Sequence, residues 1–384
     1  MRILHVIPYY YPAISFGGPV TLARSLGEDL VTMGHSVNVL TTDVASRSER
    51  LSSLKVDLGG VAIRRLRNLS QTLAGKANCY TPQGAAKALD EMLAVADVCH
   101  IFDYFTWLTY RAVERAARRG VPTVLSPHAS LSLDPLRGRS RIKTLMQRTL
   151  GEPTLRRASV LHAITESEAS SFVALGVPPA KIRVVPNGVA APVVVGNGAR
   201  FRERHGLGDR PIALFVGRLL AGKGIDLLLE VATRDEDRSL AFVLVGPSEN
   251  RPDLATTGWR GDNVLLTGLL SDTDLEDAYA AASFFTLPSY SEGLPTTALE
   301  ALTRGLPCLL SAACNLPEVS SNDAGLTVEP NVDSLRRGIA TMVERSDDLR
   351  AMGERGRRLA EARFSRKAAH ERMEQLYREL CPAP

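Results

Sequence analysis

The sequence has few cysteines and few aromatic residues, and it has no apolar run long enough to cross a membrane. Five cysteines occur among 384 residues, and none forms a Cys-x-x-Cys pair, which argues against a disulfide framework and favours a reducing compartment. Aromatic residues make up 5% of the chain and no recognition module is evident, so no nucleic acid partner is expected. A membrane span requires about 18 apolar residues in a row. We therefore expect a soluble, cytoplasmic protein that at most attaches to the inner face of the cell membrane.

The charged residues are unevenly distributed. The formal net charge is +4, but the first 190 residues carry 23 Lys and Arg against 14 Asp and Glu, whereas the remainder carries 23 against 28. A basic half beside an acidic half indicates that only one half meets an anionic partner. Solvated surfaces that differ by chance would explain the asymmetry equally well.

Alternating strand and helix patterns occur twice along the chain. "RILHVI" and "SVNVLTT" flank a helical pattern, which makes a βαβ unit, and the alternation continues to a Gly- and Pro-rich linker, "PNGVAAPVVVGNGAR". It restarts at "PIALFVG". We predict an α/β protein of two Rossmann-like, doubly wound domains that face each other across a cleft. The domains are residues 1–190 with a C-terminal helix, 365–384, that crosses back, and residues 191–364.

Each half has glycines in the turn after its first strand. The first turn is Gly17-Gly18, and the second lies in "VGRLLAGKGID" (216–226). The second begins like a P-loop but has Gly224 where a Ser or Thr would coordinate magnesium. Arg218 and Lys223 supply two cations that suit phosphate oxygens. The pattern predicts phosphate binding at a helix N-terminus, without a metal ion or any other cofactor.

Two glutamates lie eight residues apart in "SEGLPTTALE". Glu292 belongs to a loop after a strand, and Glu300 belongs to the helix that follows. The Gly293-Leu294-Pro295 turn between them offers free backbone N–H groups. Carboxylates accept hydrogen bonds from the hydroxyls of sugar rings. The segment therefore predicts a carbohydrate-binding site.

A histidine and a basic run follow one strand of the first half. His128, in "SPHASLSLDPLRGRSRIK", stands at the end of the strand pattern and is a candidate site residue. The basic run after it faces either solvent or an anionic lipid headgroup or lipid-linked diphosphate. The run consists of Arg137, Arg139, Arg141, Lys143 and Arg148.

Other residues of possible chemical interest are interpreted as structural. The Asp-x-Asp pairs at 235–237 and 272–274 resemble a metal–nucleotide motif, but Ser271 before the second pair predicts a helix cap. We expect no metal at either pair. His100 is interpreted as a structural residue at the end of a strand, and His162 similarly.

These motifs together resemble those of one enzyme family. The Glu292–Glu300 pattern, "VGRLLAGKGIDLLLE", "VVPNGV" and the Gly17-Gly18 turn are similar to retaining glycosyltransferases of the GT-B fold, family 4 (group 1). The stretch that begins at His128 also resembles "PHG-L-P" in bacterial members that build surface polysaccharides. Ala129 stands where those members have Gly.

The resemblance implies roles for the donor site. Arg218 and Lys223 would hold the donor diphosphate, which the Gly17-Gly18 turn would also approach. The "GLLSD" segment around Leu270 would contact the nucleobase through its backbone. Glu300 would bind the ribose.

The resemblance also implies how the transferred sugar is held. Glu292 and the turn 293–295 would bind its hydroxyls, and His128 would contact it from the other domain. His128, Arg218, Lys223 and Glu292 would be the catalytic residues.

The implied activity is transfer of a hexose, with retention, from a nucleoside-diphosphate sugar. A UDP-sugar is favoured and GDP-mannose is next. The acceptor would be a hydroxyl of a glycan or of a polyprenyl-diphosphate-linked molecule, in polysaccharide or glycolipid biosynthesis. A nucleotide-sugar epimerase of the same fold and a non-catalytic nucleotide-sugar-binding protein remain alternatives. A dinucleotide oxidoreductase is disfavoured because neither turn spells Gly-x-Gly-x-x-Gly.

Overall fold

The chain divides into two compact units. Met1–Pro186 together with Ala369–Pro384 form the first unit, and Asn187–Ala368 form the second. A computed structural model describes residues 1–13, 16, 18–46, 49–71, 80–128, 130–131, 147–234, 239–248 and 251–382. Among these residues, no helix is both long enough and apolar enough to cross a membrane.

The first unit is built on an eight-stranded sheet. Its strands are β1 (Arg2–Val6), β2 (Ser36–Thr42), β3 (Lys55–Leu58), β4 (Val61–Leu66), β5 (Val98–Phe102), β6 (Thr123–Ser126), β7 (Val160–Ala163) and β8 (Ile182–Val184). They follow the order β3-β4-β2-β1-β5-β6-β7-β8. All neighbours are parallel except the pair of β3 and β4. Central strands such as β5 are buried along their whole length, as expected of a sheet covered on both faces.

The second unit contains a seven-stranded sheet. Its strands are β9 (Ile212–Val216), β10 (Ala241–Val245), β11 (Gly258–Arg260), β12 (Val264–Gly268), β13 (Phe284–Leu287), β14 (Cys308–Ser311) and β15 (Gly325–Val328). Their order is β11-β12-β10-β9-β13-β14-β15, and only β11 runs antiparallel to its neighbour. The chain passes from β9 to β10 on one side and later to β13 on the other. Ligands of such sheets bind at this switch point, outside the carboxyl ends of the strands.

Helices connect the strands in both units. Among the described residues they are, in chain order, α1 (Gly18–Thr32), α2 (Ala85–Leu93), α3 (Trp107–Arg118), α4 (Glu152–Arg157), α5 (Glu166–Ala174), α6 (Gly198–His205), α7 (Ile225–Thr233), α8 (Asp272–Ala281), α9 (Thr296–Thr303), α10 (Glu318–Ser321), α11 (Val332–Glu344), α12 (Leu349–Arg363) and α13 (Arg366–Leu380). The predicted α/β class with two mainly parallel sheets is confirmed.

Helix α13 packs in the core of the first unit. Its apolar face buries Ala369, Met373 and Leu376, and Met373 and Leu376 pack in one cluster with residues such as Ile3 and Val37. Leu380 lies at the edge of that cluster and is partly buried. In the sequence, Ala369, Met373, Leu376 and Leu380 recur at helical spacing, and this apolar stripe predicts the face that the structure buries.

Polar contacts also attach α13 to the first unit. Three of them join a helix residue to a residue far away in sequence: His370 to Asp29 (2.6 Å), Glu374 to His35 (2.9 Å) and Tyr377 to His100. Burial opposes the charge of Glu374, but Arg378 and His35 hold the pKa of this carboxyl below its usual value. The docking of α13 is therefore both apolar and polar.

Candidate functional site

Most of the predicted site residues of the second unit lie at one edge of its sheet. Because β9, β10, β12, β13 and β14 are parallel, their carboxyl ends meet there. Arg218 and Lys223 follow β9, Leu270 follows β12, and Glu292 follows β13. Strands β9 and β13 are direct neighbours at the switch point. The fold thus brings the predicted phosphate loop and the predicted sugar loop together.

The loop after β9 is fixed by the neighbouring strand and ends at Gly224. The amide of Gly217 donates to the carbonyl of Val245 (2.9 Å), and a 3₁₀ turn, Ala221–Lys223, leads to α7. Gly224 has a φ of +71°, and a Cβ there would lie 2.2 Å from the carbonyl oxygen of Pro288. A side chain at this position would clash with the backbone of the loop after β13, which explains why glycine stands here.

An ion pair joins the two loops. Lys223 Nζ lies 2.6 Å from Glu292 Oε1, and the hydroxyl of Ser289 donates to the same oxygen (2.6 Å). The amide of Tyr290 also donates to the carbonyl of Gly222 (3.0 Å). The glutamate side chain is 11% exposed and the lysine 25%, so the pair is mostly shielded from water. The family resemblance implies that Lys223 and Glu292 bind different parts of the donor, and in the structure these two side chains also contact each other.

The backbone from Glu292 to Pro295 is held by the loop after β14. The side-chain amide of Asn315 donates to the carbonyls of Glu292 (2.8 Å) and Gly293 (3.3 Å). The N–H groups of Gly293 and Leu294 donate to no other residue in the part of the chain that the structure describes. Both N–H groups therefore retain an unused capacity to donate a hydrogen bond. Pro295 occupies the N-cap position of α9 and makes no side-chain capping hydrogen bond.

Glu300 lies within α9, in a shielded environment. Tyr279 donates a hydrogen bond from its hydroxyl to Glu300 Oε2 (3.3 Å). Burial raises the pKa of Glu300, and the nearby guanidinium of Arg304 partly opposes that effect. Arg304 is itself paired with Glu276 and lies over the ring of Tyr279, 4.5 Å from its centroid. A partly buried acceptor of this kind favours a ligand that donates hydrogen bonds.

The segment around Leu270 connects β12 to α8. Leu270 is partly buried, and Ser271 caps α8 because its hydroxyl accepts a hydrogen bond from the amide of Asp274 (3.2 Å). The side chain of Asp274 forms an ion pair with Arg204. The capping interpretation of residues 271–274 is confirmed, whereas residues 235–237 lie outside the described residues. Within the described ranges, no group of three His, Cys, Asp or Glu side chains could hold a metal ion.

In the first unit, His128 lies two residues beyond β6 with a φ of +49°. Its ring stacks on Phe102 (centroids 5.8 Å apart) and meets His162 edge-on. Both ring nitrogens are buried and bond to no other described residue. Burial lowers the pKa of His128 to about 3. This imidazole is therefore neutral at physiological pH and retains an unused hydrogen-bonding capacity.

Two other histidines are built into the sheet, as predicted, but His100 lies in the middle of β5 and not at its end. Its Nε2 and the Nδ1 of His162 both bond to the hydroxyl of Ser126, at 2.6 Å each. His162 Nε2 bonds to the carbonyl of Val185 (2.7 Å). Their side chains are thus engaged within the protein, and burial lowers the pKa of both.

The remaining predicted site residues of this unit are described only in part. Gly18 is the first residue of α1. Gly17 and the basic residues Arg137, Arg139, Arg141 and Lys143 lie outside the described residues.

The chain is similar to known proteins in both halves. Residues 198–359 match the model for glycosyl transferases group 1, and residues 17–188 match that for the glycosyl transferase 4-like domain. The alpha-D-kanosaminyltransferase of Streptomyces kanamyceticus is 30% identical over 189 residues, which are 47% of this chain and 49% of that protein. A GDP-mannose-dependent phosphatidylinositol monomannoside mannosyltransferase of Mycolicibacterium smegmatis is 29% identical over 220 residues (53% of this chain, 58% of that protein).

A solved structure covers nearly the whole chain. The Anabaena protein HepE, crystallised in complex with UDP, aligns over 98% of this chain and 99% of its own with a TM-score of 0.74 and 15% identity. This likeness concerns the fold, which is that of GT-B glycosyltransferases. The chain belongs to the group 1 glycosyltransferases. The sequence matches span about half the length of the two curated relatives.

Proposed function

We propose that this protein is a retaining glycosyltransferase that moves a hexose from a nucleoside-diphosphate sugar to a hydroxyl group. The acceptor is a glycan or a lipid-linked glycan, and the pathway builds a polysaccharide or glycolipid. The observation that carries the proposal is the convergence of two loops at the switch point of the second sheet, where Lys223 lies 2.6 Å from Glu292. Cations for a diphosphate thus lie beside acceptors for sugar hydroxyls.

Lys223 is able to serve both loops. An ammonium group has three donors, so the bond to Glu292 leaves two that can reach phosphate oxygens. Arg218, which is exposed in the same loop, offers a planar fork that suits a diphosphate. As the glycosidic bond breaks, negative charge grows on the leaving phosphate. Two fixed cations stabilise that charge more in the transition state than in the ground state and so lower the barrier.

The sugar would be held by the second loop. Glu292 accepts hydrogen bonds from its hydroxyls, and the amides of Gly293 and Leu294 supply two donors. Glu300, whose charged form is penalised by burial, would recover hydrogen bonds from the ribose hydroxyls. For His128 the family resemblance implies contact with the sugar, and this stays a prediction. Retention is assigned to attack on the same face of the sugar, with the leaving phosphate accepting the proton of the acceptor hydroxyl.

Two comparisons support the choice of donor. HepE is a structural neighbour that binds UDP, and the mannosyltransferase relative is dependent on GDP-mannose. We favour a UDP-sugar and place GDP-mannose next. Contact with an anionic membrane surface remains part of the proposal, through the basic run that begins at Arg137, and so does a cytoplasmic location.

The test is a thermal-shift panel on the full chain with UDP, UDP-glucose, UDP-galactose, UDP-N-acetylglucosamine, GDP and GDP-mannose. A ligand that binds the native state alone adds RT ln(1 + [L]/Kd), about 2.7 kcal/mol at a hundredfold excess over Kd. We expect one nucleotide sugar to raise Tm and the Arg218→Ala/Lys223→Ala variant to lose that shift. Release of free nucleoside diphosphate in the presence of acceptor extracts then measures turnover.

A matched control removes an exposed cation elsewhere in the unit. Arg357 on α12 pairs only with surface glutamates among the described residues, so Arg357→Ala should keep the full ligand shift. The proposal fails if no nucleotide sugar raises Tm, or if the double variant responds as the parent does. Binding without turnover would favour the non-catalytic alternative. Conversion of the donor without an acceptor would favour the epimerase.

A further inference from the structure

The sugar loop is fixed by a residue that is distant from it in sequence. Asn315 follows the 3₁₀ turn Ala312–Cys314 and has a φ of +53°. Its side-chain amide donates to the carbonyl oxygens of Glu292 and Gly293, at 2.8 and 3.3 Å. In addition, the amide of Glu292 donates to the carbonyl of Ala313 (3.0 Å). The backbone on both sides of the Glu292 side chain is thus attached to the loop after β14.

These contacts determine where two amides point. A trans peptide is planar, and its C=O and N–H bonds point in opposite directions. The bond from Asn315 to the carbonyl of Glu292 therefore fixes the direction of the Gly293 N–H, and the bond to the carbonyl of Gly293 fixes that of the Leu294 N–H. One side chain aims both donors away from the loop after β14.

Asparagine meets two requirements at position 315. The left-handed backbone there is unfavourable for most residues, but Asn and Gly adopt it readily. Glycine would satisfy the backbone and lose the amide. Aspartate would also tolerate this φ, but its carboxylate would face two carbonyl oxygens. Among these three residues, only Asn satisfies the backbone and supplies the two hydrogen bonds.

We propose that Asn315 is a positioning residue for the donor sugar. It holds the peptides of Glu292 and Gly293 so that the Gly293 and Leu294 amides point toward the transferred hexose. This inference rests on the proposed function of the same site. It adds that Asn315 governs recognition of the sugar and not of the nucleoside diphosphate, which Arg218 and Lys223 bind.

The experiment compares two ligands on the full chain. The nucleotide sugar selected by the panel above and its free nucleoside diphosphate are titrated by calorimetry into the parent, N315G and N315D. We expect the affinity of both variants for the nucleotide sugar to fall by about tenfold, and their affinity for the free diphosphate to stay within about twofold of the parent's. N315D should be the more impaired. In steady state, kcat should fall while the inhibition constant of the free diphosphate stays constant.

A control variant separates positioning from a general loss of stability. Asn263 donates from its buried side-chain amide to the carbonyl of Ala232 (2.8 Å), so N263A removes a similar bond outside the site and should leave both affinities unchanged. Because glycine accepts the φ at position 315, N315G is expected to fold, and its Tm verifies this. The inference would be overturned if the variants lost affinity equally for the nucleotide sugar and the free diphosphate, or if neither affinity changed. A parent that binds the free diphosphate but no nucleotide sugar would overturn the proposed function and this inference with it.

Discussion

Replacing Gly224 with alanine tests whether close contact between the loop after β9 and the loop after β13 shapes the site. The added Cβ would lie 2.2 Å from the carbonyl oxygen of Pro288, whereas ordinary contacts begin at 3.4 Å, so the loops must separate by about 1 Å. The left-handed backbone at φ +71° adds a cost of about 1–2 kcal/mol for alanine. A misplacement of about 1 Å reduces catalysis by roughly a hundredfold.

The assay compares G224A with G261A. Gly261 also has a positive φ (+62°), but a Cβ there would meet nothing within 4 Å. Urea unfolding and nucleotide-sugar affinity are measured for both variants. We expect both to lose about 1–2 kcal/mol of unfolding free energy from the backbone term, and G224A alone to lose further stability and most of its donor affinity. If G224A and G261A behave alike in both measurements, the steric reasoning is wrong.

Three further predictions concern the charged and buried groups. Because burial raises the pKa of Glu300, its folded form retains a proton that the unfolded chain releases, and stability is lost as pH rises through that pKa. In urea unfolding at pH 7, Glu300→Gln should thus have a higher free energy of unfolding than the parent, and this difference should disappear near pH 4. The same variant should lose donor binding. Tyr377→Phe removes the hydroxyl that is hydrogen-bonded to His100 Nδ1, so it should lower the free energy of unfolding by about 1–3 kcal/mol. An unchanged free energy of unfolding would show that this bond is unimportant. In a double-mutant cycle, the losses of unfolding free energy caused by Lys223→Met and Glu292→Gln should differ from additivity by about 1–2 kcal/mol. Additive losses would mean that the ion pair contributes nothing to stability.

Much of the fold could be predicted from the sequence because the central strands of parallel sheets are buried on both faces. The run "IALFV" of β9 is buried at every position and contains only apolar residues. The edge strands gave no such signal: β3 (Lys55–Leu58) is short and alternates between exposed and partly buried residues. Likewise, the apolar stripe of α13 was visible, but the burial of His370 and Tyr377 was not, since polar residues are ordinarily expected to face solvent.

The sequence identified most residues of the site, but it did not predict which of them contact each other. Glu292 and Lys223 were both identified, but they are 69 residues apart, and only the pairing of β9 with β13 brings them together. Ser289 and Asn315 were missed. The bond of Asn315 to the carbonyl of Glu292 depends on a left-handed backbone conformation at the end of a different strand, and a single sequence gives no measure of that. The sequence signal that remains is weak: an Asn before Leu-Pro, a residue type that adopts positive φ readily.

The placement of α13 has a consequence for biosynthesis. Met373, Leu376 and Tyr377 complete the core that contains Ile3, yet the ribosome makes residues 187–368 before it reaches them. At 5–20 residues per second, the nascent amino-terminal unit waits roughly ten to forty seconds for its closing helix. Throughout that interval an apolar face stays open to chaperones, and a stop codon introduced near position 369 would leave it permanently uncovered.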